Sequence, residues 1–136
     1  MPPDDEEARL TRQWLEKAEH DLLAAERLAQ ATPLPDVVAF HCQQAAEKAL
    51  KAYLTWHERP FRRVHDLEEL VHECAQVDAG FVGLLPAGRR LSPYAVDPRY
   101  PGEDSEPTIA EMQEAHQLAR QILEFVVHRL PQAARP

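Results

Sequence analysis

Apolar positions recur at helical spacing through the first quarter of the chain. Leu10, Trp14, Ala18, Leu22, Ala25 and Leu28 are separated by steps of four or three and so share one face of a helix. The stripe predicts a long first helix that ends before Thr32, Pro33 and Pro35. Pro35 itself suits the opening turn of a second helix, where its missing N–H has no intrahelical bond to lose. Val38, Cys42, Ala45, Ala49 and Tyr53 carry a second stripe and predict a helix reaching about Trp56. Its Ala, Gln, Glu, Lys and Leu content, free of internal Gly and Pro, adds strong intrinsic helix preference.

The register breaks at Arg59, Pro60 and Phe61 and restarts at Asp66. Asp66 followed by Glu69 is a capping-box variant, the first carboxylate accepting from N–H groups that an opening helical turn leaves free. A third helix is predicted from there, with Leu67, Leu70, Val71 and Cys74 on its apolar face. Between Phe81 and Tyr94 the pattern weakens around Pro86 and Gly88, which reads as a short helical piece. Asp97, Pro98, Pro101, Gly102 and Pro107 make residues 97–107 a loop by turn chemistry. Thr108 and Glu111 repeat the capping-box spacing ahead of Met112, Ala115, Ala119, Ile122, Val126 and Leu130, a long final helix stopped by Pro131. Sustained alternation at period two is missing, so a sheet is not expected. The elements predict an all-α fold, an antiparallel four- to five-helix up-and-down bundle. A single domain is expected over residues 1–136, with a core from about 8 to 130, a short acidic N-terminal tail and a Pro-rich C-terminal one.

Composition narrows the class. A chain of 136 residues with 44% hydrophobic content builds one core rather than two. The formal charge of −8 argues against a generic nucleic-acid coat. No apolar run approaches a membrane span, and Asp4, Asp5, Glu6 and Glu7 stand where a secretory leader would be basic and then apolar; a cytoplasmic protein with no membrane association is expected. Cys42 and Cys74, without CxxC spacing, are expected to pack as reduced apolar groups.

The distribution of charge says more than its sum. Arg59, Arg62 and Arg63 lie between His57 and His65, and Arg89, Arg90 and Arg99 form a second basic stretch. Brought to one end of a bundle, the two would offer planar bidentate donors to phosphate; the plain alternative is loop arginines paired with nearby carboxylates. On helix two, Gln43, Gln44, Glu47, Lys48 and Lys51 are either a solvated face with a Glu47–Lys51 pair or a groove facing a nucleotide or a second copy. Tyr100 and Pro101 either shape the loop, with Arg99 tying it to an acidic helix, or place Arg99 on phosphate. Asp66 reads as a helix cap and His65 as support for that turn. His41, Cys42, His72 and Cys74 are plausible metal ligands one by one but match no metal signature, and a structural role is expected for them. Ser92 and Ser105 lie in no GxSxG setting, and a P-loop is missing.

The run from Phe40 to Leu54 resembles the signature helix of the HEPN domains, named for higher eukaryotes and prokaryotes nucleotide-binding. Trp14, Leu15, Ala18, Asp21 and Leu22 resemble that family's first helix, His65, Asp66 and Leu67 its HDL element, and Tyr94 with Arg99, Tyr100 and Pro101 its RYP element. The four matches occur in family order over residues 14 to 128. The resemblance implies an all-helical homodimer, commonly encoded beside a minimal nucleotidyltransferase as toxin and antitoxin, with a nucleotide such as ATP, or RNA, as ligand and no other cofactor. In ribonuclease members, an Arg and a His separated by four to six residues act from a late helix. Here Arg59 and His65 alone have that spacing, and they lie in the connection before helix three. The expected role is therefore a nucleotide- or phosphate-binding helical partner through Lys48, Lys51, Arg59, Arg62, Arg63, His65, Arg99 and Tyr100. A metal-independent ribonuclease and a purely structural subunit are the alternatives.

Overall fold

The computed structural model describes residues 3–31, 34–95, 101 and 106–136, with side chains from Glu6 onward. These residues form the helices α1 (Pro3–Ala31), α2 (Pro35–Trp56), α3 (Leu67–Ala75), α4 (Leu85–Leu91) and α5 (Ile109–His128), with 3₁₀ turns at Ala79–Leu84, Ser92–Ala95 and Gln132–Ala134. Among the described residues there is no strand, as the missing period-two pattern predicted. None of the described helices is long and apolar enough to cross a membrane.

The centre of the bundle is α2. Val38, Ala39, Cys42, Ala45, Ala46, Ala49, Leu50, Ala52, Tyr53 and Leu54 are all buried, over more than half the circumference of the helix. Its run of alanines lets α1 lie close along it, and α3, α5 and the Ser92–Ala95 turn pack on its other faces. α1 and α2 are antiparallel: Asp21 meets Lys48, while Trp14, earlier on α1, meets Lys51, later on α2. The buried stripe of α1 is Ala8, Thr11, Leu15, Ala18, Leu22 and Ala25, turned slightly from the face read along the sequence. Trp14 and Leu28 flank it half-buried, and Leu10 is exposed. Apolar residues on both sides of a stripe leave its centre ambiguous until a neighbouring helix chooses.

Helix ends follow local chemistry. Pro35 occupies the first turn of α2. At its other end Glu58 N–H donates to Thr55 O (3.0 Å) and Arg59 N–H to Leu54 O (2.9 Å), a Schellman closure with Glu58 in the left-handed region at φ 55°. Asp66 caps α3 by accepting from Glu68 N–H (3.0 Å), while the Glu69 carboxylate stands 3.5 Å from Arg62. The full capping box forms at α5: Thr108 Oγ1 accepts from Glu111 N–H (3.1 Å) and Glu111 Oε1 from Thr108 N–H (3.0 Å).

The weakly patterned stretch before Tyr94 is the 3₁₀ turn followed by α4. Phe81, fully buried, holds it down between Tyr53 (centroids 4.4 Å apart) and Phe125 (4.9 Å). α4 packs on the start of α3, where the buried Gly88 lies against Leu67 and a Cβ would meet Leu67 Cβ at 3.4 Å, ordinary van der Waals contact. The ends of the chain carry regular structure. α1 begins at Pro3 and takes in the acidic segment. After Pro131 the chain turns back so that Ala134 is buried and Ala133 O accepts from Arg12.

Candidate binding site at the α2–α3 connection

Gln43, Glu47 and Lys51 stand one above another on α2 at steps of four, so their polar ends form a single row. The row is neither a solvated face nor an open groove. Glu47 is 4% exposed, Lys51 8%, and Gln43 is fully buried. Charges at such depth are tolerated only when paired and hydrogen-bonded, and here the partners are present. The Glu47 carboxylate accepts from Lys51 Nζ (3.0 Å), from His65 Nδ1 (2.7 Å) and, more loosely, from Gln43 Nε2 (3.3 Å). Gln43 Nε2 also donates to His65 O (3.0 Å), and its own carbonyl oxygen accepts from Gln44 Nε2 (2.8 Å). The Lys51 ammonium lies 5.8 Å from the Trp14 ring centroid and 5.7 Å from that of Phe61, within cation–π range of both.

This buried row anchors the connection from His57 to Asp66. Gln43 fixes its backbone at His65, and Phe61 packs edge-on against Trp14 (centroids 6.1 Å apart). With Nδ1 directed at Glu47, the His65 ring is oriented and its Nε2 is the nitrogen left for a ligand. Its side chain is 66% exposed. Arg59 and Arg62 have distant single contacts, Arg59 to Glu73 at 3.6 Å and Arg62 to Glu69 at 3.5 Å, and the Arg62 side chain is 78% exposed. Arg63 is exposed and has no hydrogen-bond or ionic partner among the described residues. A cleft of about 270 Å³ between Pro60, Phe61, Arg62, Glu69, Leu70 and Glu73 lies beside them.

The other site residues expected from sequence fall elsewhere. Lys48 stands apart from the row and pairs with Asp21, which also accepts from His41 Nδ1 (2.9 Å), a clamp between α1 and α2. Lys51 is at the α2–α3 site but buried, holding Glu47 rather than facing solvent. Of the second basic stretch, Arg89 donates twice to Glu68 (3.0 and 3.2 Å) and Arg90 to Glu114 (2.7 Å). The two connections do come together, for Leu67 N–H donates to Ser92 Oγ (3.0 Å), but these two arginines are already engaged. Arg99 and Tyr100 lie outside the described residues.

Glu47 and Gln43, which hold the connection from beneath, are the side chains that sequence reasoning undervalued. Their signal is a polar row at positions i, i+4 and i+8, beside a second polar strip of His41, Gln44 and Lys48 that hides it as part of one wide polar face. Among the described residues no three His, Cys, Asp or Glu side chains could hold a metal ion together. Cys42 and Cys74 are buried free thiols. Burial, with Glu26 and Asp21 nearby, pushes the Cys42 thiol up to about 12, and burial likewise raises that of Cys74, so both are neutral packing groups.

The HEPN domain model matches residues 11–130. The chain is similar to TT1696 from Thermus thermophilus, whose crystal structure superposes with a TM-score of 0.77 at 31% identity, over 88% of this chain and 98% of that one. It shares its fold with ST0689, an archaeal HEPN homologue, with a TM-score of 0.70 at 24% identity, over 88% and 96% of the two chains. Among curated proteins, none matches. A helical bundle built on a central α2, carrying the Phe40–Leu54 run and the His65–Leu67 element in family order and matched over nearly its whole length, belongs to the HEPN family.

Proposed function

We propose that this HEPN protein is a cytoplasmic nucleotide- or phosphate-binding module. In this reading it forms a homodimer and acts as the small helical partner of a minimal nucleotidyltransferase, the two serving as toxin and antitoxin. The observation that carries the binding part is the α2–α3 connection, where Arg62 and Arg63 are exposed and weakly paired beside a His65 oriented by the buried Glu47. Guanidinium groups with only distant carboxylate contacts can exchange them for bidentate phosphate bonds at little cost. The homodimer and the nucleotidyltransferase partner are supported by family membership.

Titration of ATP against the purified protein at two salt concentrations tests the binding reading. Affinity should fall with salt and fall at least tenfold in the Arg62→Ala/Arg63→Ala variant. Binding indifferent to both changes, or no binding, overturns it. Co-expression with a candidate nucleotidyltransferase tests the partnership through a stable complex on size-exclusion chromatography.

A second reading, a metal-independent ribonuclease, is favoured by the His65 geometry alone: Nδ1 is held by a carboxylate, which suits the ring to proton transfer at Nε2. Cleavage of structured RNA in EDTA that is lost in His65→Ala would support it.

A further inference from the structure

Besides packing against Phe61, Trp14 lines an open groove of about 620 Å³ together with Leu10, Gln13, Glu16 and Lys17. We propose that this groove is a stacking subsite for the heterocycle of a nucleotide whose phosphates engage Arg62 and Arg63; the inference rests on the anion-binding reading above.

Three features single out a flat, base-bearing ligand. The first is the aromatic surface itself: Trp14 is half-buried, so part of its ring remains open, and Leu10, 36% exposed, extends the apolar ledge. An indole accepts any base by stacking. The second is the rim. The Gln13 amide both donates and accepts, Glu16 accepts from an exocyclic amine, and Lys17 offers an ammonium to a ring carbonyl or a phosphate. A purely apolar partner would leave these groups without matching chemistry. The third is placement. Trp14 lines the groove and touches Phe61, which lines the neighbouring cleft together with Arg62, so the aromatic pair joins the groove to the basic connection. The Lys51 ammonium, held by Glu47, sits against both rings and keeps the pair in place before any ligand arrives. An anion-binding connection next to a stacking ledge fits a ligand with a phosphate at one end and a heterocycle at the other.

The test is calorimetric titration of the full-length protein with ATP, inorganic tripolyphosphate and a short oligoadenylate. ATP should bind more tightly than tripolyphosphate. Trp14→Ala should weaken ATP about 5- to 150-fold, the range that loss of one stacked base gives, and weaken tripolyphosphate far less, the remainder reflecting the Phe61 contact it removes; Trp14→Phe should restore most of the ATP loss and leave tripolyphosphate unchanged. Gln13→Ala, a change confined to the groove, should weaken ATP selectively even if Trp14→Ala proves unstable. Oligoadenylate binding more tightly than ATP assigns the subsite to an RNA end, and weaker binding assigns it to a free nucleotide. Equal affinities for ATP and tripolyphosphate, both unmoved by Trp14→Phe and Gln13→Ala, overturn the stacking subsite while the anion site stands. Failure of tripolyphosphate and ATP alike to bind removes the anion site itself and the subsite with it.

Discussion

Glu47 Oε1 and His65 Nδ1 lie 2.7 Å apart although eighteen residues separate them in the chain. The contact joins the most deeply buried carboxylate of α2 to an exposed imidazole on the following connection, so one residue of the central helix sets the geometry of a surface element. Lys51 completes the arrangement by neutralising the carboxylate from the next turn. The surface that would meet a ligand is thus fixed from within the core.

Removing Glu47 leaves the Lys51 ammonium buried without its carboxylate. Breaking such a pair by deleting one partner costs about 3–5 kcal/mol, whereas replacing both by apolar groups of similar volume is close to neutral. Glu47→Ala should therefore lower the urea midpoint strongly, and Glu47→Leu combined with Lys51→Met should recover most of the loss. A single variant as stable as the parent would show that Lys51 reaches water by another route.

The helices were legible in the sequence because each start and stop has a local cause. Pro35 in a first turn, Asp66 as a cap and the Thr108–Glu111 box are chemistry contained within a few neighbouring residues, and the structure reproduces all three. The site was legible only in part. Arg59, Arg62 and Arg63 stand out as a basic run, but whether their guanidinium groups are free depends on Glu69 and Glu73 of another helix. Glu47 was hidden for a different reason. A charged residue four positions from a lysine looks like a surface pair, and nothing local reveals that Phe61 and His65 fold over it. The packing of residues 79–91 was faint because Phe81, Leu84 and Leu91 are buried across a change from 3₁₀ to α geometry, which spoils a single period.

Acid should weaken the α1–α5 contact. The Glu26 carboxyl is held below the ordinary carboxylate value of 4.5, chiefly by the hydrogen bond from His116 and then by the Arg120 charge, against an opposing effect of burial. A carboxyl with a depressed value in the folded state binds its proton more readily when unfolded. Its contribution is therefore complete above about 4.5 and is lost as pH falls through the lower folded value. Glu68, lowered by its hydrogen bond from Arg89, acts in the same direction. Thermal melts from pH 7 to pH 3 should show a declining midpoint below about pH 4.5, and Glu26→Gln should flatten that decline while lowering the midpoint at pH 7.

Thr11 carries a buried hydroxyl with no hydrogen-bond partner among the described residues, in the stripe that packs α1 on the bundle. A buried polar atom left unsatisfied is destabilising, and an apolar replacement of the same shape removes the penalty. Thr11→Val should raise stability by about 1 kcal/mol, read as a higher urea midpoint with an unchanged slope. A fall instead would place an ordered water or a backbone carbonyl on that hydroxyl.

Glu58 closes α2 from the left-handed region, at φ 55°. Side chains with a Cβ are crowded there, and the C′ position of a Schellman closure ordinarily takes Gly. The two closing bonds, from Glu58 N–H to Thr55 O and from Arg59 N–H to Leu54 O, use only the backbone and survive substitution. Comparing Glu58→Gly with Glu58→Ala isolates the Cβ, because both variants lack the carboxylate and whatever it contacts. Glu58→Gly should be the more stable of the two by about 0.5–1 kcal/mol, even though glycine is the more flexible residue when unfolded. Glu58→Val, β-branched and ill suited to positive φ, should fall below Glu58→Ala. Because the same turn launches the connection carrying Arg59, Arg62 and Arg63, ATP affinity should separate the variants as well. Glycine keeps the conformation and with it the affinity, whereas valine distorts the start of the connection and weakens binding even below its melting range. Parallel melts and titrations of the three variants distinguish a strained helix end from one that the surrounding structure has fully relaxed, since only the strained end makes glycine the most stable of them.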